Sequence, residues 1–444
     1  LDSRRTVLRS LLAAKINYHM ESNNSLASFM LACHSCLVQD VANVYSISES
    51  ESSRDQRELA SRVDKEGLNF LTQALPRLGK AVDAALGRAQ PFHVQGFEKA
   101  RGRTTPKLFG WLFERIFAED GLPKPSADAD DVSRLRQLTY LSYKLEVPYA
   151  EKLKEKVLNE FVATDRELLD VDLEKADQTV LDYASKLIAR VTCNISCKDF
   201  RPKHGPGAVA TGEDQWEKMR FKRIFLSLER YFPVTEYFFA SLGHLCDSLG
   251  RLQNFEVLEA GTAKVVLVPK DSRGPRLISC EPLEYQWIQQ AVASPLVRAV
   301  EDHPLTSGHV NFTDQEVNRR LALFGSMGAK WVTLDMKEAS DRVSLALVKR
   351  LFSRTALLEY ILACRSAGTR LPNGTLVTLN KFAPMGSALC FPVEALCFWA
   401  LAVSLLVNVG GYSLDRAKSH VYVYGDDIIV HSEDYRVLMQ YFPS

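Results

Sequence analysis

The stretch Val421–Ser432, VYVYGDDIIVHS, restricts the possible folds more than any other part of the chain. Two arms of β-branched and aromatic residues flank Gly425-Asp426, the pattern of a hairpin closed by a tight turn. An isolated hairpin is barely stable in water, so it requires further strands and a core to cover it. Ala263–Lys270 (AKVVLVPK) reads as a strand running into a loop, and Lys330–Asp335 (KWVTLD) as a buried strand. Helical sequence lies between the last two strands, including VSLALVKRLFSRTALLEYILA and the apolar run after Pro392. The second half is therefore expected to be α+β, with helices packed on a small sheet.

Residues 1–200 read differently. EGLNFLTQALPRLGKAVDAAL, EKLKEKVLNEFVATDRELLD and DQTVLDYASKLIARV carry apolar residues at helical spacing. SISESESSRDQR (Ser46–Arg57) and GLPKPSADADD (Gly121–Asp131) read as surface loops. No internal repeat is evident. Apolar residues make up 46% and charged residues 25%, which excludes a mainly disordered chain. With 55 basic and 54 acidic residues, overall basicity cannot hold a nucleic acid, so phosphate binding must come from local clusters.

Nine cysteines at irregular spacing read as free thiols of a reducing compartment. The close pairs Cys33/Cys36 and Cys193/Cys197 lack a second pair at matching spacing, which favours packing over a zinc site. The amino terminus, LDSRRTVLRSLLAAKINYHM, has no clear cleavage site and is not read as a signal peptide. The most apolar run, Ala395–Val407, is 13 residues long, short of the ~18 a membrane span needs. A core helix of a soluble protein is expected there.

Asp335 ends the Trp331–Leu334 run, and Asp426 and Asp427 stand at the hairpin tip. Neighbouring strands in one sheet would bring the three together. Clustered carboxylates repel unless a cation is present, and oxygen-only donors suit Mg²⁺ or Mn²⁺. Two such ions can activate an attacking hydroxyl and hold a leaving pyrophosphate. The plainer alternative is a hairpin turn that uses Gly and Asp for backbone reasons.

The blocks around these residues resemble the motifs of RNA-dependent RNA polymerases. Thr333–Asp341 (TLDMKEASD) looks like motif A. Ala383–Leu401 (APMGSALCFPVEALCFWAL), a Gly-Ser loop leading into a helix, looks like motif B. VYVYGDDIIV looks like motif C, and the three occur in that order. HGPGAVATG (His204–Gly212), VPKDSRGPRLISCEP (Val268–Pro282) and HVNFTDQEVNRRLA (His309–Ala322) extend the likeness to the replicase catalytic subunit of single-stranded RNA bacteriophages, the leviviruses. The resemblance covers roughly residues 200–435.

It implies a right-hand polymerase architecture. Residues 1–200 would be a mainly helical amino-terminal region and 201–329 the fingers with a basic nucleotide-entry segment. Residues 330–444 would be a ferredoxin-like palm, with the thumb largely absent from this chain. Asp335 and Asp426 would be the principal ligands of two Mg²⁺ ions (Mn²⁺ as the substitute), and Asp427 a ligand or its neighbour. Lys264, Lys270, Arg273 and Arg276 would line the nucleotide entry path like motif F, against the alternative of a solvated loop. Lys270 and Arg276 are the best candidates for the triphosphate.

Asp341 is read two ways: as an acceptor for the ribose 2′-hydroxyl, or as the N-cap, with Ser340, of the helix that follows. Ser387 is a second ribose candidate. Related polymerases often carry Asn in the motif B helix, where this chain has Glu394. Residues 198–223 carry seven Lys/Arg against four Asp/Glu, so Lys203 and His204 are candidate RNA contacts, a structural turn being the other reading. Asn311, Asp314, Gln315, Asn318 and Arg319 either shape the template channel or hold structure.

The family continues past motif C with more palm and a thumb, where a Lys often protonates pyrophosphate. Residues 1–444 alone are therefore expected to be weakly active or inactive as a polymerase. The expected reaction replicates viral RNA in the cytoplasm of a bacterial host. Expected partners are template and nascent RNA, ribonucleoside triphosphates, host elongation factors Tu and Ts, and a ribosomal protein. The alternatives are a reverse transcriptase, disfavoured by Gly425, and a non-catalytic RNA-binding scaffold.

Overall fold

The computed structural model describes residues 23–328 and 330–441. The amino-terminal stretch with no signal-peptide pattern lies outside them. The chain divides into two compact units. The first comprises residues up to Ala150 together with Pro269–Pro275; the second comprises Glu151–Val268 and Arg276 onward.

The first unit contains helices Asn23–Val44, Glu49–Glu66, Leu75–Arg88, Gly110–Ile116 and Ala129–Tyr140. The expected loop at 46–57 is mostly the first turns of Glu49–Glu66. Ser48 caps that helix by accepting from the Glu51 amide, and Glu49 and Glu51 face its amino-terminal dipole. Ser52, Asp55, Leu59 and Val63 form its buried stripe. The serines and charges of that stretch supply the cap, part of the solvated face and, in Ser52 and Asp55, part of the buried one. Gly121–Asp131 is irregular as far as Asp128, which caps Ala129–Tyr140. Phe70, Leu71, Leu75, Leu78, Val82, Phe109 and Phe113 are fully buried in this unit's own core. The segment 269–275 joins it through the Ser272 hydroxyl, which donates to the Thr72 carbonyl at 2.7 Å.

The second unit is mixed. It contains β1 (Arg223–Phe225), β2 (Glu256–Leu258), most of β3 (Thr262–Asp271) and β4 (Gly274–Cys280), then β5 (Trp331–Asp335), β6 (Gly368–Arg370), β7 (Leu376–Thr378), β8 (Val421–Tyr424) and β9 (Asp427–His431). β1 and β2 pair in parallel, and a four-stranded sheet runs β4-β3-β6-β7. The third sheet, β5-β9-β8, is antiparallel throughout. β3 does not run into a loop but turns back into β4. β5 is an edge strand with no fully buried residue, so the expected buried strand is half open.

The helix expected at Ala395–Val407 spans Cys390–Asn408, 19 residues. That reaches the length of a membrane span, yet the helix is buried almost all round, as a helix apolar on every face of a globular core must be. Helix Gln178–Thr192 lies against it, with Val180, Leu181, Ala184, Leu187, Ile188 and Val191 buried at helical spacing. The Ser404 hydroxyl donates to the Val180 carbonyl at 2.6 Å. With helix Glu151–Glu167 tied to Asn380 and Lys381 through Asp165, this packing places residues 151–200 in the second unit rather than with the helical first one. Each Val, Leu or Ile so buried contributes about 1.5–3 kcal/mol.

Candidate active site

The β8–β9 hairpin closes through Gly425 and Asp426, with Tyr424 opposite Asp427. Gly425 has φ +64°, the positive value a two-residue hairpin loop needs at its first position. A Cβ there would also stand 1.9 Å from the Phe391 ring. Both constraints select glycine, whatever the chemistry of the aspartates.

β5 runs antiparallel beside β9 in a register that sets Asp335 directly opposite Asp427. The strand-end aspartate and the hairpin tip thus meet, and Asp335, Asp426 and Asp427 are all exposed. Partial burial, then Asp426 and Asp335, pushes the Asp427 carboxyl above its ordinary range, while a hydrogen bond from Gln315 opposes the shift. No cationic side chain enters that balance.

The Asn-Phe-Thr-Asp-Gln block packs against this hairpin. The Asn311 amide donates to the Val423 carbonyl at 3.1 Å, and the Val423 amide to the His309 carbonyl at 2.8 Å. Asn311 is buried, and the Asn318 side chain donates to the Asp427 carbonyl at 3.0 Å. Asp314 caps the start of helix Glu316–Ser326 through the Glu316 amide. Arg319 points to solvent and pairs with Glu316 at 2.7 Å.

The motif B-like segment approaches from the other side. Gly386, at φ +126°, passes so close to β4 that a Cβ would lie 2.2 Å from the Ser279 carbonyl oxygen. Ser387 is buried, and its hydroxyl accepts from the Leu389 amide at 3.3 Å, at the entry to helix Cys390–Asn408. Glu394, one turn further, is buried with one carboxyl oxygen lacking a partner. Burial first, then Asp426 and Asp341, pushes its carboxyl up to about 8.

Asp341 does not cap the next helix. It lies inside a short helix, Ala339–Arg342, and the cap of Leu345–Leu351 is Ser344. Its carboxylate instead accepts from Lys381 Nζ at 2.9 Å. Lys381 is fully buried, 3.8 Å from the Phe161 ring and 3.8 Å from Asp165, whose carboxylate also accepts from the amides of Asn380 and Lys381. Nothing in the local sequence marked Lys381, because its partners come from two distant segments, the helix carrying Phe161 and Asp165 and the short helix carrying Asp341.

The basic segment is divided. Lys264 on β3 and Arg276 on β4 are exposed in the second unit. Lys270 and Arg273 belong to the first unit, where Arg273 is tied to Asp271 at 2.7 Å. In the glycine loop Lys203 is exposed, while His204 packs beside Trp287 at 4.4 Å between ring centroids. The carbonyls of Gly205 and Gly207 accept from the buried Lys218 Nζ. That part of the loop is held inward.

The donor set at the hairpin tip consists of carboxylate oxygens alone, which fits a hard divalent cation better than zinc or copper. Among the described residues, the side chains that bring three ligand atoms within 4.8 Å of one another are His420, His431 and Asp434; the tip aspartates stand wider. The nine cysteines are all free.

The blocks that resemble motifs A and C thus meet in one small sheet, with the motif B-like helix packed against β8. The RNA replicase, beta-chain family matches residues 223–443, and that segment belongs to the family. The chain is 35% identical over 179 residues to the RNA-directed RNA polymerase subunit beta of Qbeta virus (strain MX1), covering 40% of this chain and 29% of that protein. It is 34% identical over 210 residues to the same subunit of Enterobacteria phage SP, covering 47% and 34%. For the beta chain of Escherichia phage MS2 the identity is 30% over 169 residues, covering 38% and 29%. The chain thus spans about a third of the length of the curated relatives it matches.

Among solved structures, the RNA-dependent RNA polymerase of bacteriophage phi12 matches 84% of this chain and 62% of its own at 13% identity, with a TM-score of 0.40. That of a human picorbirnavirus matches 41% and 38% at 15% identity, with a TM-score of 0.32. Scores this low carry no argument beyond the sequence match.

Proposed function

We propose that this chain carries the nucleotidyl-transfer site of an RNA-directed RNA polymerase that replicates the genome of an RNA bacteriophage. The observation that carries this reading is the register placing Asp335 opposite Asp427, beside a hairpin tip bearing Asp426 and no compensating cation. The β5-β9-β8 sheet with helix Cys390–Asn408 is read as the palm, and residues 201–329 as fingers.

Asp335, Asp426 and Asp427 hold two Mg²⁺ ions, with Mn²⁺ as substitute. The ions supply activation of the nascent strand's 3′-hydroxyl and charge neutralisation at the α-phosphate and leaving pyrophosphate. The side chains supply position. The edge-strand placement of β5 leaves Asp335 open to a substrate, while the β-ladder fixes its distance from Asp427. Gln315 orients Asp427, and Asn318 pins its backbone.

Lys381 holds Asp341 so that its remaining oxygen is free to accept from a ribose 2′-hydroxyl. Ser387 is the second ribose contact. Glu394, protonated near neutral pH, adds no negative charge beside Asp426. Lys264 and Arg276, exposed on β3 and β4, meet the triphosphate, and Lys270 and Arg273 are kept as further candidates on sequence grounds. Lys203, Gln315 and Arg319 line the RNA path, and Asn311, packed on the hairpin, and His204, beside Trp287, support it from beneath. Elongation factors Tu and Ts, a ribosomal protein and a cytoplasmic setting enter through the family resemblance alone.

The test is Mg²⁺-dependent incorporation of ribonucleotides against deoxyribonucleotides on an RNA template. Mn²⁺-dependent binding of a ribonucleoside triphosphate, measured in parallel, reads the site without a full catalytic cycle. Both signals should favour the ribonucleotide and disappear in Asp335→Asn and Asp426→Asn. Signals that survive Asp426→Asn, or a preference for deoxyribonucleotides, overturn the reading.

A further inference from the structure

A second cluster of metal-ligating side chains stands at the other end of β9. His420 is the C-cap of helix Leu414–Ser419, His431 is the last residue of β9, and Asp434 lies just before helix Tyr435–Tyr441. One ligand atom from each lies within 4.8 Å of the other two. His420 Nδ1 is 2.7 Å from Asp434 Oδ2, and the two imidazole centroids are 4.6 Å apart. Backbone hydrogen bonds fix the spacing: the His431 amide donates to the His420 carbonyl at 3.1 Å, and the Asp434 amide to the His431 carbonyl at 3.0 Å. Asp434 is 2% exposed, and both imidazoles are largely covered.

We propose that His420, His431 and Asp434 form a structural zinc site that clamps the base of the hairpin. Two imidazole nitrogens and one carboxylate oxygen make a donor set for a borderline ion such as Zn²⁺, not for the hard ion that suits the aspartates at the tip. Ligand atoms of a tetrahedral zinc lie roughly 3.3 Å apart, given bonds of about 2.0 Å, so small side-chain adjustments close the trio around an ion. The fourth position is open to water; the nearby Glu433 carboxylate, 3.7 Å from His431 Nδ1, pairs with Arg416.

The plainer account is an Asp-His hydrogen bond between His420 and Asp434. It leaves two features unexplained. A second imidazole is brought against the first although the hydrogen bond does not need it. The other oxygen of Asp434 is held by the Tyr412 hydroxyl at 2.8 Å, the kind of outer hydrogen bond that orients a ligating carboxylate. Arg416 lies 3.9 Å over the Tyr412 ring and 3.7 Å from Glu433, tying the surrounding segment together.

The place in the fold gives the ion a task. Asp427 and His431 are the two ends of β9, about 13 Å apart at ~3.3 Å per residue. A zinc at the His431 end joins the sheet to the 412–420 segment and to the last described helix, and so steadies the strand whose far end carries Asp427.

The experiment uses the full chain, free of any histidine tag, stripped with a chelator and then dialysed against Zn²⁺ or Co²⁺. Retention of about one zinc, visible Co²⁺ ligand-field bands and a Zn²⁺-dependent rise in Tm are expected. His431→Gln leaves the His420–Asp434 pair intact and should weaken zinc binding by roughly 10–100-fold or more with unchanged far-ultraviolet circular dichroism. Asp434→Asn should behave likewise, whereas Asp426→Asn should keep the zinc. Uptake no greater than that of His431→Gln, or zinc lost on Asp426→Asn rather than on His431→Gln, overturns the proposal.

Discussion

Two buried acids, one in each unit, show what separates scaffold from site. Asp55, in the first unit, accepts from the Phe109 amide at 3.2 Å, from Trp111 Nε1 at 2.8 Å and from Arg54. Burial raises its carboxyl, and those donors pull it back. Glu394, in the second unit, has an orphaned oxygen and, for neighbours, Asp426 and Asp341. The first acid has been given partners by the fold. The second has only acids beside it and is held protonated near neutral pH, an unpaired burial that costs stability and is expected near a functional site.

The comparison breaks most visibly at the tip. Asp335→Asn or Asp426→Asn should lower nucleotide incorporation on the order of 10³-fold, with no loss in thermal stability. If instead the melting curve collapses, the tip is structural and the contrast with Asp55 is lost.

A second contrast is in the pH dependence. Burial pushes Glu281, in the second unit, up to about 7 from 4.5, against hydrogen bonds from Ser366 and Gln289. Its contribution is complete below pH 4.5 and should fall by about 3 kcal/mol as pH rises to 7, since the unfolded chain gives up that proton earlier. In the first unit burial pushes His34 down to about 4 from 6.5, so the sign reverses. Stability present above pH 6.5 should fall by about 3 kcal/mol as pH drops to 4. With each unit's unfolding followed by its own probe, the second unit's midpoint should stop falling between pH 4.5 and 7 in Glu281→Gln, and the first unit's should stop falling from pH 6.5 to 4 in His34→Gln.

Asp55→Ala strands the Trp111 and Phe109 donors and should cost about 2 kcal/mol, read by denaturant unfolding, while Mn²⁺ binding stays unchanged. The smallest effect is expected from Ser48→Ala, which removes the cap of Glu49–Glu66 and should cost about 1 kcal/mol by the same measurement.

The sequence carried the hairpin plainly, because its strands, turn glycine and paired aspartates are consecutive. Asp335 was legible as a partner because an apolar run ended on it. The packing of Asn311, Gln315 and Asn318 on that hairpin could be stated only as a channel or a support, since it depends on a register that no local pattern encodes. Ser46–Arg57 was misread because serine and charge look alike in a loop and in a capped helix; the stripe of Leu59 and Val63 decides between them. Lys381 and the His420–His431–Asp434 cluster were not legible at all. Each draws its members from separate elements at spacings that belong to no helix face and no familiar metal motif.

The claim on which the account rests is that Asp335, Asp426 and Asp427 act together on divalent ions. Manganese binding, followed by electron paramagnetic resonance on zinc-saturated chains, tests it most directly. The account predicts a bound Mn²⁺ population that competes with Mg²⁺ and is lost in both Asp335→Asn and Asp426→Asn, with circular dichroism unchanged. Equal Mn²⁺ binding by the wild-type chain and both variants would contradict it.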